Sequence, residues 1–181
     1  MSRIQLIDPA ATTANRQGML AQVNKAFGAT PNMFKAVANS PAALKSMWGS
    51  FGALSTGTLG AKMGEQIAVA IADRNRCEYC LAAHTVLGKG AGASGEEMAA
   101  AQAGKSSDPR TAAALTFALK LVADRGQLSD EDVVAVRAAG FDDEQIVEIM
   151  AHVALNLFTN YVNVAFDIPV DFPKVALIPN A

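Results

Sequence analysis

Apolar positions along the chain recur every three to four residues. Leu115, Leu119 and Val122 form one stripe, Val133 and Val136 a second, and Ile146, Ile149 and Met150 a third. That spacing predicts amphipathic helices. No run reads as a strand, so the predicted fold class is all-α, a bundle of seven to eight helices. The openings of these helices are written in capping chemistry. Thr30-Pro31, Ser40-Pro41 and Asp108-Pro109 each place a capping residue before a proline, which suits a first helical turn. Ser94 with Glu97, and Ser129 with Asp132, have the spacing of reciprocal caps.

The first 30 residues read as a loose leader and a helix of about ten residues. The tail, 167–181, holds Pro169, Pro173 and Pro179 and cannot be one helix. It interleaves Ile168, Val170, Phe172, Val175, Leu177 and Ile178, which predicts an extended run over an apolar surface. A faint internal similarity aligns Glu65-Gln66-Ile67 with Glu144-Gln145-Ile146, and Ala72 with Ala151. It suggests two related helix pairs, with 142–166 as a pseudo-repeat in which Asn156, Thr159 and Asn163 stand at the offsets of Cys77, Cys80 and His84. The whole chain, 1–181, is read as one domain whose core spans 40–90.

Composition changes the picture in two ways. Of 181 residues, 51% are hydrophobic and 18% charged, with a mean hydropathy of +0.19. That is apolar for a chain with no candidate bilayer span, and it points to surface shared between subunits. The 15 basic and 17 acidic residues are dispersed, for a net charge of −2, which leaves no basic face for nucleic acid. The N-terminus carries no basic stretch followed by an apolar run, so the expected location is the cytoplasm and no membrane partner is expected. The two cysteines stand three positions apart. In a reducing compartment that spacing belongs to redox or metal chemistry more often than to a structural staple.

On a helix, Cys77, Cys80 and His84 lie at i, i+3 and i+7 and share one face. The helix is predicted to begin close to Cys77, because Asp73, Arg74 and Asn75 interrupt the preceding apolar run. Its free amides and dipole then favour a thiolate at Cys77. His84 can take a proton from the sulfur one turn back or return it. Glu65 stands 12 residues before Cys77, a rise of about 18 Å on an unbroken helix. A fold-back at 73–76 would return it to the cysteine helix, where it could hold a proton or orient His84. Zinc is the rival reading of the cysteine pair. The continuing helix, 81–87, and the distance to His152 count against it, and neither a metal nor a cofactor is expected. His152 itself, in an apolar run, is read as a hydrogen-bonded core histidine. Asn156, Asn160 and Asn163 are read as cross-links between helices, and Tyr79 as an amphipathic lining of the site mouth.

Glu65, eleven residues, Cys77, two residues, Cys80, three residues and His84 together resemble the core pattern of the alkylhydroperoxidase AhpD family, within the carboxymuconolactone decarboxylase-like superfamily. The likeness extends from Asn39-Ser40-Pro41-Ala42 through Gly64-Glu65 to Ala83-His84-Thr85. In length and in its ending over 163–173 the chain resembles the peroxidase-related branch. The resemblance implies a homo-oligomer, trimeric or hexameric, that reduces hydroperoxides through a cysteine pair re-reduced by a dithiol or a redox protein. It makes Cys80 the attacking sulfur, Cys77 the resolving thiol, and Glu65 and His84 the proton relay. Where the helix start favours a thiolate at Cys77, the resemblance assigns attack to Cys80, and Cys80 is retained here. One departure stands out: the family places a histidine directly before the second cysteine, where this chain has Tyr79, an auxiliary position. The alternatives are a general disulfide reductase without a peroxide substrate, or a redox-responsive oligomer that does not turn over.

Overall fold

A computed structural model describes residues 2–179; Met1, and Asn180 and Ala181 at the end of the tail, lie outside the described residues. Nine α-helices and no strand are present among the described residues: α1 (Ala14–Phe27), α2 (Asn32–Val37), α3 (Pro41–Leu54), α4 (Ala61–Arg74), α5 (Glu78–Gly90), α6 (Gly95–Gln102), α7 (Pro109–Ala123), α8 (Asp130–Ala138) and α9 (Asp143–Ala165). The chain is all-α, with at least one helix more than the seven or eight expected.

Several starts are fixed by the predicted caps. Ser40 accepts the Ala43 N–H and Asp108 accepts the Thr111 N–H, each ahead of a proline in the first turn. Ser94 with Glu97 and Ser129 with Asp132 both close reciprocal capping boxes, each worth on the order of 1 kcal/mol. Thr30 does not cap. Instead α2 opens behind Pro31 with no side-chain cap of its own, and the Asn32 N–H is taken at 2.7 Å by Asp171 of the tail.

α4 is the central helix and packs against α5, α6, α7 and α9. Its residues from Ile67 to Ala72 are all buried, which is why its sequence is apolar nearly all round rather than striped. The same core holds Leu20, Phe34, Leu44, Met47, Leu81, Met98, Leu115 and Ile149, each at most 2% exposed. Replacing a side chain such as Ile71 by alanine would cost about 2–5 kcal/mol.

One joint positions the site. Between α4 and α5 the chain reverses at Asn75 and Arg76, where Arg76 adopts a left-handed φ of 56° and the Cys77 N–H returns to the Ala72 carbonyl at 2.9 Å. α5 therefore runs back along α4. The corresponding stretch of the proposed repeat does not break. Ala154 and Leu155 stand at the positions of Asn75 and Arg76, and both favour helix, so α9 is one continuous helix of 23 residues. The expected second helix pair is not formed.

Residues 168–179 contain no regular element. The Ile168 side chain is buried, and Val170, Phe172, Val175 and Leu177 pack on the core. Polar contacts hold the run in place: Arg76 donates to the Ile178 carbonyl at 2.6 Å, Gln102 to the Ala176 carbonyl at 2.9 Å, and the Ile178 N–H to Asp73 at 2.9 Å. Among the described residues no helix is long and apolar enough to cross a membrane.

Candidate active site

The fold-back brings Glu65 of α4 to His84 of α5, and the His84 Nδ1 lies 2.7 Å from Oε2 of the carboxylate. A carboxylate accepts from Nδ1–H, which leaves Nε2 as the imidazole's free acceptor. Glycine at position 88 eases the approach. A Cβ there would press on the end of the flexible Met98 side chain of α6 and stand 3.3 Å from the Glu65 Cβ of α4, so a larger residue would need both to give.

Cys77 is the N-cap of α5, and its Sγ accepts the Cys80 N–H at 3.2 Å. Both cysteines are buried free thiols. Their environments push them apart. Cys77 is lowered, chiefly by the Cys80 thiol hydrogen-bonded to its sulfur; burial opposes this, and the Cys80 N–H and the Asn163 amide reinforce it. Cys80 is pushed well up by burial first and then by Cys77, with Asn163 and Asn160 working against both. The helix-start argument therefore describes the resting pair: the readier thiolate is at Cys77, while Cys80 needs a base to ionise.

Sequence reasoning missed a direct partner of the pair. Asn163 of α9 donates from Nδ2 to the Cys80 Sγ at 3.1 Å. Read as a cross-link between helices, it does connect α9 to α5, but through the Cys80 sulfur. Asn160, one turn earlier, accepts from Asn75 at 3.1 Å and so ties α9 to the fold-back. Asn156 instead donates to the His152 carbonyl of its own helix at 2.9 Å. The helical spacing of the three asparagines was the available signal; the sulfur they face could not be read from it.

Cys80 and His84 line a narrow apolar cavity walled by Phe27, Phe34, Phe51 and Phe172 among others. Cys77 instead lines a second, more open cleft with Arg76, Asn163 and Asp167. Tyr79 lines both and is only 4% exposed, so it is a wall between them rather than the rim of a mouth. Its hydroxyl accepts the Met33 N–H at 3.2 Å, and its ring meets Phe172 edge-on at 5.7 Å. Burial, with Asp171 adding to it, pushes the phenol far above its ordinary range, so it stays protonated. His152 is not sealed in the core as expected. Its half-buried ring shares a cleft with Glu65 and His84.

Residues 40–124 match the model of the carboxymuconolactone decarboxylase family. Among solved structures, the AhpD-core peroxidase-related protein of Ralstonia eutropha JMP134 superposes with a TM-score of 0.84 at 26% identity, covering 94% of this chain and 92% of that one. A carboxymuconolactone decarboxylase family domain thus lies within an AhpD-like fold. A peroxidase-related protein of Silicibacter sp. TM1040 shares the fold with a TM-score of 0.82 at 23% identity, over 93% and 91% of the two chains. So does the debrominase Bmp8, solved with 2,3,4-tribromopyrrole, with a TM-score of 0.78 at 19% identity over 94% of each chain. No curated protein matches the chain.

Proposed function

We propose that the protein is a thiol-dependent hydroperoxide reductase working through a Cys77–Cys80 dithiol/disulfide cycle. The observation that carries this reading is the hydrogen-bonded Glu65–His84 couple, whose imidazole lines the same apolar cavity as Cys80. Cys80 is the more strongly held thiol, so it reacts only when a base removes its proton, and His84 is that base. The sulfur attacks the terminal peroxide oxygen and the O–O bond breaks. The alkoxide leaves with the proton returned through His84, and Cys80 becomes a sulfenic acid. Cys77, whose lowered thiol is the readier thiolate, then attacks that sulfur and expels water as the disulfide closes. The dithiol's two protons and two electrons end in one alcohol and one water. The aromatic wall of the cavity suits an organic hydroperoxide, and the cleft at Cys77 gives a dithiol or redox-protein donor a separate approach.

The test is consumption of cumene hydroperoxide in excess dithiol. Wild-type protein turns over and Cys80→Ser does not; equal slow consumption by both refutes the reading. The aromatic cavity also suits a second reading, reduction of a halogenated arene, in which the same dithiol becomes a disulfide as a carbon–halogen bond is replaced by carbon–hydrogen and halide leaves. Bromide release from a bromopyrrole, without peroxide consumption, would select it.

A homo-oligomer, trimer or hexamer, completes the proposal. Val147, Met150, Phe158, Tyr161 and Val164 are exposed along one helix, α9, and an apolar row of that length is unusual on a surface facing only water.

A further inference from the structure

A second group of titratable side chains lies behind the thiol pair. α9 carries Glu148 and His152 one turn apart and brings both to the Glu65 end of α4. The His152 ring lies over Gly64, where a Cβ would stand 2.8 Å from its Cε1, so glycine at 64 is what admits the imidazole. His152 then lines one cleft with Glu65, His84 and Asn156. The Asn156 side chain belongs to a residue only 3% exposed, and its carboxamide oxygen has no hydrogen-bond partner.

The groups that face the ring are few. α4 contributes Glu65, α5 contributes His84, and α9 contributes Glu148; α3 adds only Phe51 and Leu54, which do not titrate. Glu148 is committed elsewhere, accepting the N–H groups of Thr58 and Leu59 at 2.9 Å each. Glu65 is left as the carboxylate that lines this cleft with both imidazoles of the chain, hydrogen-bonded to His84 and facing His152 across the cleft.

We propose that His152 is a third member of the proton relay, a positioning residue that shares the Glu65 carboxylate with His84 and gives the proton lifted from the thiol pair a second seat. The proton leaves the Cys80 sulfur for His84. The Glu65 carboxylate links that imidazole to His152, and the proton returns along the same route to the alkoxide, so none is created or lost. Burial holds His152 below its ordinary range, Glu65 and Glu148 raise it, and His84 lowers it. It is therefore neutral at pH 7, with a lone pair to offer. What the proton is used for rests on the hydroperoxide-reductase reading; the sharing of Glu65 does not.

The experiment follows the His152 ring by NMR titration in the wild-type, Glu65→Gln and His84→Asn proteins. Loss of the carboxylate should lower the His152 midpoint, and loss of the neighbouring imidazole should raise it, each by on the order of half a pH unit. Either variant alone is sufficient if the other does not fold. A midpoint that is the same in all three proteins overturns the inference. In single-turnover oxidation, His152→Gln should slow sulfenic-acid formation by about tenfold and displace its pH profile. An unchanged rate and profile in a peroxide-active protein overturns it too. A coupled titration in a protein that consumes no peroxide supports the shared carboxylate and defeats only the functional reading.

Discussion

The Asn163 amide reaches across from α9 to donate to the Cys80 sulfur at 3.1 Å, a contact between residues 83 positions apart. A hydrogen bond to a charged group contributes about 1.5–3 kcal/mol, which is about one pK unit or more of thiolate stabilisation. Asn163→Ala should therefore raise the pH at which the thiols become alkylable by about one unit and slow peroxide oxidation about tenfold. Iodoacetamide rates against pH measure the first effect and stopped-flow the second; unchanged rates would show that the amide is only a packing group.

The two sulfurs should be separable by trapping. In Cys77→Ser the sulfenic acid at Cys80 has no resolving thiolate, so dimedone should label Cys80 after one peroxide equivalent while steady turnover is lost. In Cys80→Ser no adduct should form. Mass spectrometry of the peptide spanning residues 77–84 decides; an adduct on Cys77 would exchange the two roles.

In the reduced protein the lowered thiol is Cys77 and the raised one is Cys80. Alkylation below the ordinary cysteine range should accordingly map to Cys77, with Cys80 modified only at higher pH. Predominant early modification of Cys80 would contradict the assignment.

His152 predicts the sign of a stability change. Burial lowers its pKa in the folded state, so the unfolded chain binds the extra proton more readily. The contribution is fully present above the unfolded value near 6.5 and is lost as pH falls through the lower folded value. Wild-type protein should lose urea resistance on acidification over that window more steeply than His152→Gln, by the denaturation midpoints of both. Equal slopes would refute the assignment.

Phe172 closes one side of the cavity against Tyr79. Phe172→Ala should raise kcat/KM for cumene hydroperoxide relative to hydrogen peroxide several-fold, at a stability cost of about 1–3 kcal/mol for this partly buried ring. A parallel change for both substrates would mean that the ring acts on the site as a whole and not on its size.

How much of this was legible depends on sequence distance. The capping boxes at Ser94 and Ser129 are complete within four residues, and both formed. Glu65 was recoverable because one fold-back, signalled by Asp73-Arg74-Asn75, suffices to bring it to His84. The start of α2 was misread because its cap partner, Asp171, sits in the tail and nothing near Thr30 announces it. Asn163 and His152 were missed for the same reason: their roles depend on α9 packing across α4 and α5, and an asparagine or histidine in an apolar run looks alike whether it faces a leucine or a sulfur. Gly64 and Gly88, the small residues that admit His152 and Glu65, carry meaning only once the helices are in place.

In the proposed cycle Cys77 is at once a redox residue and the N-cap of α5. In the reduced protein its sulfur accepts the Cys80 N–H, a capping role whose loss typically costs about 0.5–2 kcal/mol. Closing the disulfide commits that sulfur to a covalent bond, and the first turn of α5 must find other terms. The start of the helix would then gauge the oxidation state: amide exchange at residues 78–81 should differ between the reduced and disulfide forms.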